Sequence, residues 1–457
     1  MIAKKNTTNI FKLFLLFHLL IWTLVPTISN ENLPLDTIEA LAWGSNLDWG
    51  FNKHPPFSAF AVEIFYQIFG SQDWAYYFLS QIFVIIAFIV VYKFSDEIFN
   101  NKNLALLSVF LLEGIYFYNF TTPEFNVNVC QLPLWSFSIY FAWRCFKYDK
   151  TKDYIYLGIL MGLGILSKYL FLYLIIGIKL FFIFLIKRGK KIKLRNYFIA
   201  GPIAILILLP HIKWLSDNNF KTISYGMHRT GGTGEFFDHL IYPLIFLGKQ
   251  IGILIPFFLM IFFLIKKLRF KLNFKDKNLM FLIFSTIIPI LGIFLTSMIV
   301  GIKIRTMWMT PFYLYLGVLM IYVFHKNITL NNLKKFFFLF MFLFLLSPII
   351  YLSISLTNEK KRTDYPGKEI ARLVQDKWDK NFVNEIKIVI GDEWYAGNLS
   401  YHLTSRPVWM NELKNKTSEI NSSEGVIYTG NPKILKKICP GVYGTIKPVG
   451  YCMIGQK

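Results

Sequence analysis

The sequence has few charged residues, and acids are scarcer than bases. Only 17% of its 457 residues are charged, and 27 acidic residues stand against 49 lysines and arginines. A chain that is 54% hydrophobic and contains 47 phenylalanines is too apolar for a single soluble domain. Apolar runs of eighteen or more residues recur from end to end, and each is long enough to cross a hydrocarbon core of about 30 Å. These features predict a polytopic α-helical membrane protein.

The sequence also lacks the glycine-rich motifs that bind nucleotides. It contains no Walker-type phosphate loop and no dinucleotide fingerprint. Neither nucleotide hydrolysis nor a soluble nucleotide-sugar donor is therefore supported, and no cofactor is predicted. A divalent cation on Asp36, Glu39, Glu124 and His54 is conceivable because hard cations prefer carboxylate oxygens. These four residues do not have the compact spacing of a metal site, so no metal is predicted.

The excess of positive charge lies in short loops between apolar runs. Lysines and arginines are concentrated in residues 187–195 and again in residues 266–277. Short loops rich in Lys and Arg stay on the cytoplasmic side of a membrane. The net charge of +22 therefore indicates topology and contact with lipid headgroups, and not binding of nucleic acid.

The apolar runs predict eleven transmembrane helices, with the N-terminus in the cytoplasm. The predicted spans are about 11–28, 74–93, 103–119, one ending at Arg144, two short spans within 154–186, then 197–215, 241–265, 278–300, 308–325 and 335–356. No small-residue cleavage site follows the first apolar run, which favours a retained span over a signal peptide. Eleven crossings place residues 30–73 and the C-terminus outside, and the Lys/Arg-rich loops then fall inside, in agreement with this topology.

The last hundred residues have the composition of a small soluble α/β domain. The segment IKIVIGD predicts a buried strand followed by a turn, and YPGKEIARLVQDKW has helical spacing. The chain therefore divides into a transmembrane domain, residues 1–357, and an outer α/β domain, residues 358–457. Cys439 and Cys452 are candidates for a disulfide in an oxidising compartment, although two cysteines in one domain can also stay unpaired.

The outer segment 30–73 is rich in aromatic residues, among them Trp43 and Phe51, which suit helices lying in the membrane interface. It also carries two carboxylates. A helix that begins near Thr37 places Asp36 near its N-terminus and Glu39 one turn later, so both can point the same way.

A third carboxylate, Glu124, lies in the next predicted outer loop. The candidate cations on the same side are Lys53, His54, Lys168, Arg229, Lys303 and Arg305. In group transfer from a lipid-linked phosphate, a carboxylate takes the proton of the acceptor hydroxyl and cations hold the charge of the leaving phosphate. These residues therefore point to such a transfer, with the three carboxylates as catalytic candidates and the six cations as phosphate-binding candidates.

Each assignment has a plainer alternative. Asp36 can serve only to cap the helix that follows it, and Glu39 can be a solvated side chain. Lys303 and Arg305 can be anchors that reach the lipid headgroups. His54 can be a structural partner of the Pro-Pro turn that follows it.

Several motifs together resemble bacterial membrane glycosyltransferases of the GT-C class, of the protein O-mannosyltransferase and aminoarabinose lipid A transferase type (glycosyltransferase family 39-like). They are DTIEA, WGSNLDWGFNKHPP, SKY, RTMW, YPGKEIA and GDEWYAGNLSYHLTSRP, and they span nearly the whole chain. The resemblance implies a polyprenyl-phosphate-sugar donor, undecaprenyl-linked, and inversion at the anomeric carbon. It also implies that Asp36 is the first-loop acid, as base or acceptor-orienting group, and that Glu124 is the second-loop acid. The Asp-Glu doublet common in this family is here Asp36-Thr37, with the glutamate at Glu39, which leaves the division of roles open.

The resulting prediction is an inner-membrane glycosyltransferase that acts at the periplasmic face on an acceptor such as lipid A or lipopolysaccharide. Related enzymes also modify protein or polysaccharide, so these acceptors stay open. The alternative class is a flippase that moves a lipid-linked sugar without transfer chemistry. The chain shows no internal repeat, and its charges lie at the outer ends of the spans, which disfavours a transporter. A sensor with an outer binding domain would explain the C-terminal segment but not the first outer loop.

Overall fold

The computed structural model describes residues 4–190, 194–231, 234–265, 272–358, 361–411, 424–446 and 448–457. Parts of the two basic loops, residues 191–193 and 266–271, therefore lie outside the described residues. The helices up to residue 358 are α1 Lys4–Ser29, α2 Leu35–Gly44, α3 Phe57–Phe69, α4 Asp73–Phe99, α5 Lys102–Phe110, α6 Val127–Tyr148, α7 Thr151–Ser167, α8 Phe171–Lys187, α9 Leu194–Asp217, α10 Lys221–Thr230, α11 Asp238–Leu264, α12 Lys277–Leu282, α13 Ile288–Val300, α14 Leu316–Phe324 and α15 Leu330–Thr357.

Six of the described helices are long and apolar enough to cross a membrane, or seven if one bent pair is counted. They are α1, α4, α9, α11, the continuous α12–α13 segment and α15, and the bent pair is a 3₁₀ helix over Thr306–Tyr313 followed by α14. The predicted fold class, a polytopic helical protein with a small C-terminal α/β domain, is confirmed. The predicted number of eleven spans is not, because α5, α6, α7 and α8, with 9, 22, 17 and 17 residues, are not among these six or seven helices.

The long apolar run over residues 154–186 forms two short helices, as the sequence predicted. α7 ends at Ser167 and α8 begins at Phe171, which leaves Lys168 in the connection with extended backbone. The two helices approach closely because residue 164 is glycine. A Cβ atom at Gly164 would lie 2.5 Å from the ring of Phe171, so a larger residue would push α8 away and move Lys168.

The C-terminal segment contains the predicted helix and strand, and the further short strands expected of an α/β domain. Its elements are α16 Gly367–Asp379, β1 Ile388–Ile390, α17 Tyr395–His402, β2 Val408–Met410, β3 Val426–Gly430, α18 Pro432–Ile438, β4 Val442–Ile446 and β5 Val449–Ile454. The strand order is β2-β1-β3-β5-β4. The first three strands are parallel, with Ile388 paired to both Val408 and Val426, and the last two are antiparallel. Cys439 and Cys452 form a disulfide that joins the end of α18 to β5.

The C-terminal domain shares its hydrophobic core with the first outer segment. Trp43 and Phe51 stack with ring centroids 5.5 Å apart, are 2% and 5% exposed, and pack in one cluster with Ile370 and Trp378 of α16. The expectation that these two aromatic rings lie in the membrane interface is therefore wrong, because the C-terminal domain covers them. This packing places α2, with its two carboxylates, between the membrane helices and the sheet.

Candidate active site

The first outer carboxylate, Asp36, lies in the first turn of α2. The helix begins at Leu35, and its N-cap residue, Pro34, makes no side-chain capping bond. Asp36 is therefore not the N-cap considered as an alternative. The first backbone N–H groups of a helix have no partner within the helix. One of them, that of Asp36, is bonded by the carboxylate of Glu124.

Glu124 reaches α2 from the second outer loop. The backbone N–H of Asp36 donates to Oε1 of Glu124 at 3.1 Å, and the hydroxyl of Thr37 donates to the carbonyl of Phe125 at 3.1 Å. These two bonds fasten residues 88 positions apart in the sequence. The structure thus brings together Asp36 and Glu124, the two acids that the family resemblance had singled out.

Glu39 is buried one turn after Asp36 and pairs with Lys53. The ammonium of Lys53 donates to Oε1 of Glu39 at 2.7 Å and lies 3.5 Å from Oε2 of Glu393 in the C-terminal domain. Glu39 is therefore not the solvated side chain considered as an alternative. Lys53 links the first outer segment to the loop that follows β1.

Lys168 is buried beside the same group of acids. Its ammonium donates to Oδ1 of Asn128 at 2.6 Å and lies 4.9 Å from the ring centroid of Trp308. Neither partner carries a negative charge. The negative charge of Asp36 favours the protonated ammonium of Lys168.

Burial and the nearby positive charges shift the pKa of Asp36 in opposite directions. Burial raises the pKa of Asp36 above its usual range, while the charges of Lys168, Lys53, Arg229 and Arg362 lower it. The net effect of burial and charge is a raised pKa. A carboxylate with a raised pKa is a stronger base near neutral pH than an exposed aspartate.

Burial and nearby charges also shift the pKa values of the neighbouring groups. Burial, and then the charge of Asp36, raise the pKa of Glu124. Burial raises the pKa of Glu39 to about 7 against the opposing charge of Lys53, and burial lowers the pKa of Lys168 to about 7. For His54, burial and the surrounding cations lower the pKa to about 3. His54 is thus neutral at pH 7 and can offer a hydrogen bond to a phosphate but no charge.

The remaining predicted cations separate into two groups. Arg229, in the last turn of α10, lines the cavity beside Glu39 and Lys53. Lys303 instead lies over the ring of Tyr242, 4.7 Å from its centroid, and Arg305 is exposed. Neither of these two is among the cations that lower the pKa of Asp36, and neither lines the cavity. A role of Lys303 and Arg305 in donor binding stays a prediction.

A cavity of about 1000 Å³ lies between the membrane helices and the C-terminal domain. Glu39, Lys53 and Arg229 line one side, and Arg362, Glu393 and Trp394 are among the residues on the other. Sequence reasoning missed Arg362. The signal was the run of bases over residues 360–362, which is separated by two residues from the YPGKEIA motif. Within the described ranges, no three His, Cys, Asp or Glu side chains are grouped so as to hold a metal ion.

Comparison with known proteins supports the resemblance seen in the motifs. Residues 53–214 match the model of the family described as dolichyl-phosphate-mannose-protein mannosyltransferase. This segment runs from Lys53 to Trp214 and so contains Glu124 and Lys168. No curated protein sequence matches the chain significantly.

Two solved structures are similar over nearly the entire length. The crystal structure of ArnT from Cupriavidus metallidurans bound to undecaprenyl phosphate superposes with a TM-score of 0.66 at 12% identity, covering 98% of this chain and 98% of that one. The apo structure of the same protein has a TM-score of 0.63 at 12% identity, covering 97% and 98%. At this identity the likeness shows the fold. The chain folds from end to end like ArnT, and the predicted resemblance to membrane glycosyltransferases of the GT-C type is confirmed.

Proposed function

We propose that the chain is an inner-membrane glycosyltransferase that moves a sugar from a polyprenyl-phosphate donor to an acceptor at the periplasmic face. The family model and the ArnT-like fold both support a polyprenyl-phosphate-dependent transferase of the GT-C type. The ArnT crystal contains undecaprenyl phosphate, which favours undecaprenyl phosphate as the carrier here. Lipid A or lipopolysaccharide is the proposed acceptor.

The observation that carries this proposal is the meeting of Asp36 and Glu124 beside three cations. The Asp36 N–H lies 3.1 Å from Glu124, and the charges of Lys168, Lys53 and Arg229 act on the Asp36 carboxylate. A base surrounded by cations suits a reaction in which a hydroxyl loses a proton and a phosphate leaves. The same arrangement does not suit a glycosidase, which requires a general acid and a second carboxylate placed across the bond.

In the proposed reaction, Asp36 accepts the proton of the acceptor hydroxyl. The hydroxyl oxygen bonds to the anomeric carbon of the donor sugar while the bond from that carbon to the phosphate oxygen breaks. The polyprenyl phosphate departs with the electron pair of that bond. Lys53, Arg229 and Lys168 hold its charge, so it needs no proton from a general acid. Attack from the side opposite the phosphate inverts the anomeric centre.

Glu124 and Glu39 take supporting roles in this scheme. Glu124 accepts the N–H at the start of α2 and so fixes the position of Asp36. Glu39 holds Lys53, which orients that ammonium for the phosphate. This division assigns the base to Asp36 and leaves the two glutamates to position it and its cation.

The proposed orientation puts the N-terminus in the cytoplasm and the C-terminal domain in the periplasm. The concentration of Lys and Arg in the loops over residues 187–195 and 266–277 supports it. The disulfide between Cys439 and Cys452 is compatible with an oxidising compartment.

The test is mass spectrometry of lipid A and bulk envelope glycans from cells that produce either the wild-type chain or the Asp36→Asn variant. The amide keeps the shape of the side chain and loses its basicity, so the sugar increment on lipid A is expected to disappear. Asp48→Asn is the matched control, because Asp48 lies in the same outer segment and bonds the indole of Trp214 instead.

Loss of the increment in both variants would contradict a specific role for Asp36. Unchanged lipid A with altered polysaccharide or protein glycans would reassign the acceptor. Unchanged glycans in every fraction would contradict the transferase and favour a flippase.

A further inference from the structure

A cluster of three cations surrounds one aromatic ring at the C-terminal end of α6. The guanidinium of Arg144 and the ammonium groups of Lys147 and Lys150 lie 5.2, 5.2 and 5.7 Å from the ring centroid of Tyr148. The ring itself is 41% exposed. At a helical rise of about 1.5 Å per residue, it lies about 30 Å along α6 from Asn128, which bonds the buried lysine of the candidate active site. This cation cluster is therefore separate from the candidate active site.

Neighbouring rings hold the cation cluster in position. Lys147 also lies 4.3 Å from the ring centroid of Trp143, which is 1% exposed. Arg144 lies 5.6 Å from the ring centroid of Tyr140, whose hydroxyl donates to Oε1 of Glu97 at 2.7 Å. The quadrupole of a ring attracts a cation placed over its face. These cations are therefore held against the protein surface and do not simply extend into water.

The acidic side chains that follow the cation cluster in the sequence already have partners. Asp153 is buried, and its Oδ1 atom accepts a hydrogen bond from Arg144 at 2.9 Å. Asp149 accepts a hydrogen bond from the hydroxyl of Tyr154 at 3.0 Å. Of these two carboxylates, only that of Asp153 forms an ion pair with a member of the cluster.

The two lysines of the cation cluster lack such a partner. No ion pair among the described residues includes Lys147 or Lys150. The C-terminus of a helix carries about half a negative charge, which cannot balance two ammonium groups. One of the last carbonyls of α6, that of Phe146, also accepts the ammonium of Lys190, which adds a further positive charge. A bound anion would relieve the repulsion among these cations.

The surface next to the cation cluster is apolar, which indicates a lipid as the source of the anion. Tyr156 of α7 is 49% exposed, and its ring centroid lies 5.0 Å from that of Phe141 on α6. Ile155 beside it is 38% exposed. A phospholipid has the matching chemistry, because its phosphate is anionic and its acyl chains are apolar. Basic pockets between helices at the cytoplasmic side of a membrane bind the headgroups of such lipids.

We propose that the cation cluster is a binding site for an anionic phospholipid that carries two phosphate groups. One phosphate lies against Arg144 and Lys147, the second lies against Lys150, and an acyl chain packs on Tyr156. Two phosphates match the two ammonium groups that have no paired carboxylate. In the orientation proposed above, this site faces the cytoplasmic leaflet. It is therefore a lipid site distinct from the places where a donor and an acceptor react.

The test is native mass spectrometry of the full chain, delipidated in detergent and then titrated with cardiolipin, which carries two phosphates. Phosphatidylcholine, which has a phosphate but no net charge, is the control lipid. The double variant Lys147→Ala/Lys150→Ala is expected to weaken cardiolipin binding by at least about tenfold, because it removes two charge-assisted contacts. The variant Lys147→Arg/Lys150→Arg keeps both charges and should stay within about threefold of the wild type.

A second pair of lysines provides a matched control variant. Lys334 and Lys335 are exposed on α15, and neither lies over a ring among the cation–ring pairs of the described residues. The variant Lys334→Ala/Lys335→Ala removes the same amount of charge and should change cardiolipin binding by less than about threefold, because isolated exposed charges contribute little.

Three results would overturn the inference: equal cardiolipin affinity in the wild type and the Lys147→Ala/Lys150→Ala variant, equal losses in the two alanine double variants, or no preference of the wild type for cardiolipin over phosphatidylcholine. Equal affinity for phosphatidylglycerol, which carries one phosphate, would contradict the two-phosphate assignment. As a second readout, cardiolipin should raise the Tm of the wild type and leave that of the Lys147→Ala/Lys150→Ala variant unchanged. None of these measurements depends on sugar transfer.

Discussion

Lys168 is a buried cation whose hydrogen-bond partner is the neutral amide of Asn128. Burial lowers its pKa to about 7, although the charge of Asp36 opposes that change. A lysine with this pKa changes its charge within the physiological range. The sugar-transfer rate should therefore respond to the protonation of Lys168 as well as to that of Asp36.

The pH profile of transfer is the first prediction. Asp36 acts as a base only when it is unprotonated, so its raised pKa moves the acid limb to a higher pH than an ordinary aspartate would give. Lys168 holds phosphate charge only when it is protonated, so activity should fall as the pH rises through about 7. Lys168→Arg keeps the charge at all these pH values and should move the alkaline limb upward by at least one pH unit. An alkaline limb that stays in place in an active Lys168→Arg variant would exclude Lys168 as its source.

Two arginines provide a second, comparative prediction. Arg229 lines the cavity, and its charge lowers the pKa of Asp36. Arg305 is exposed and is not among the cavity-lining residues described. Arg229→Ala should raise the KM for the polyprenyl-phosphate donor by about tenfold, since one charge-assisted contact is worth about 1.5–3 kcal/mol. Arg305→Ala should change it by less than about threefold, while the acceptor KM stays nearly constant in both variants. A larger effect from Arg305 would place the donor phosphate nearer the loop that carries it.

At the scale of elements, one side chain fastens the C-terminal domain to the first outer segment. The guanidinium of Arg406 donates to the carbonyl of Leu41 at 2.7 Å, to Glu63 at 2.7 Å and to the carbonyl of Ser400 at 3.1 Å. Arg406 also has a φ of +48°, a region that non-glycine residues seldom occupy. These bonds join α2 and α3 to the segment after α17, and so help to hold the carboxylates against the sheet.

Removal of this contact should destabilise the whole assembly. Arg406→Ala leaves the buried carboxylate of Glu63 with the neutral amide of Gln67 but without its cation, and loss of one member of a buried ion pair costs about 3–5 kcal/mol. We expect a clear fall in the Tm of the protein in detergent. The double variant with Glu63→Gln should recover part of the lost Tm, because it contains no buried carboxylate without a cation. Equal Tm values for the single and double variants would show that the ion pair contributes little beyond the packing of the arginine.

At the scale of the whole molecule, the membrane helices and the C-terminal domain form one unit around α2. Trp43 and Phe51 lie in the same core cluster as Ile370 and Trp378. The cavity has walls from both parts of the chain. The division between residues 357 and 358 follows the composition of the chain. The two parts nevertheless share a hydrophobic cluster and both line the cavity.

Truncation of the chain after residue 357 should therefore expose the first outer segment as well as remove the C-terminal wall of the cavity. Trp43 and Phe51, which are 2% and 5% exposed in the full chain, would face water, and exposed aromatic clusters of this kind promote local unfolding or aggregation. Limited proteolysis should cut within residues 35–60 of the shortened chain and spare that segment in the full chain. Equal protection in both chains would show that α2 is held by the membrane helices alone.

The sequence by itself determined the class of the protein and its C-terminal α/β segment, and it supplied the three candidate acids. These follow from local information, because apolar run length, helical spacing and short motifs are read within a few turns of chain. Even there, the count of eleven spans is not confirmed, because six or seven of the described helices are long and apolar enough to cross a membrane.

Only the tertiary structure decided which charged side chains are in contact. It paired Lys53 with Glu39 and Glu393, brought Arg362 to the cavity, and placed Lys303 beside Tyr242. It also buried Trp43 under the C-terminal domain. Contacts between residues tens or hundreds of positions apart depend on how helices pack and on what covers them, and neither periodicity nor composition records that packing.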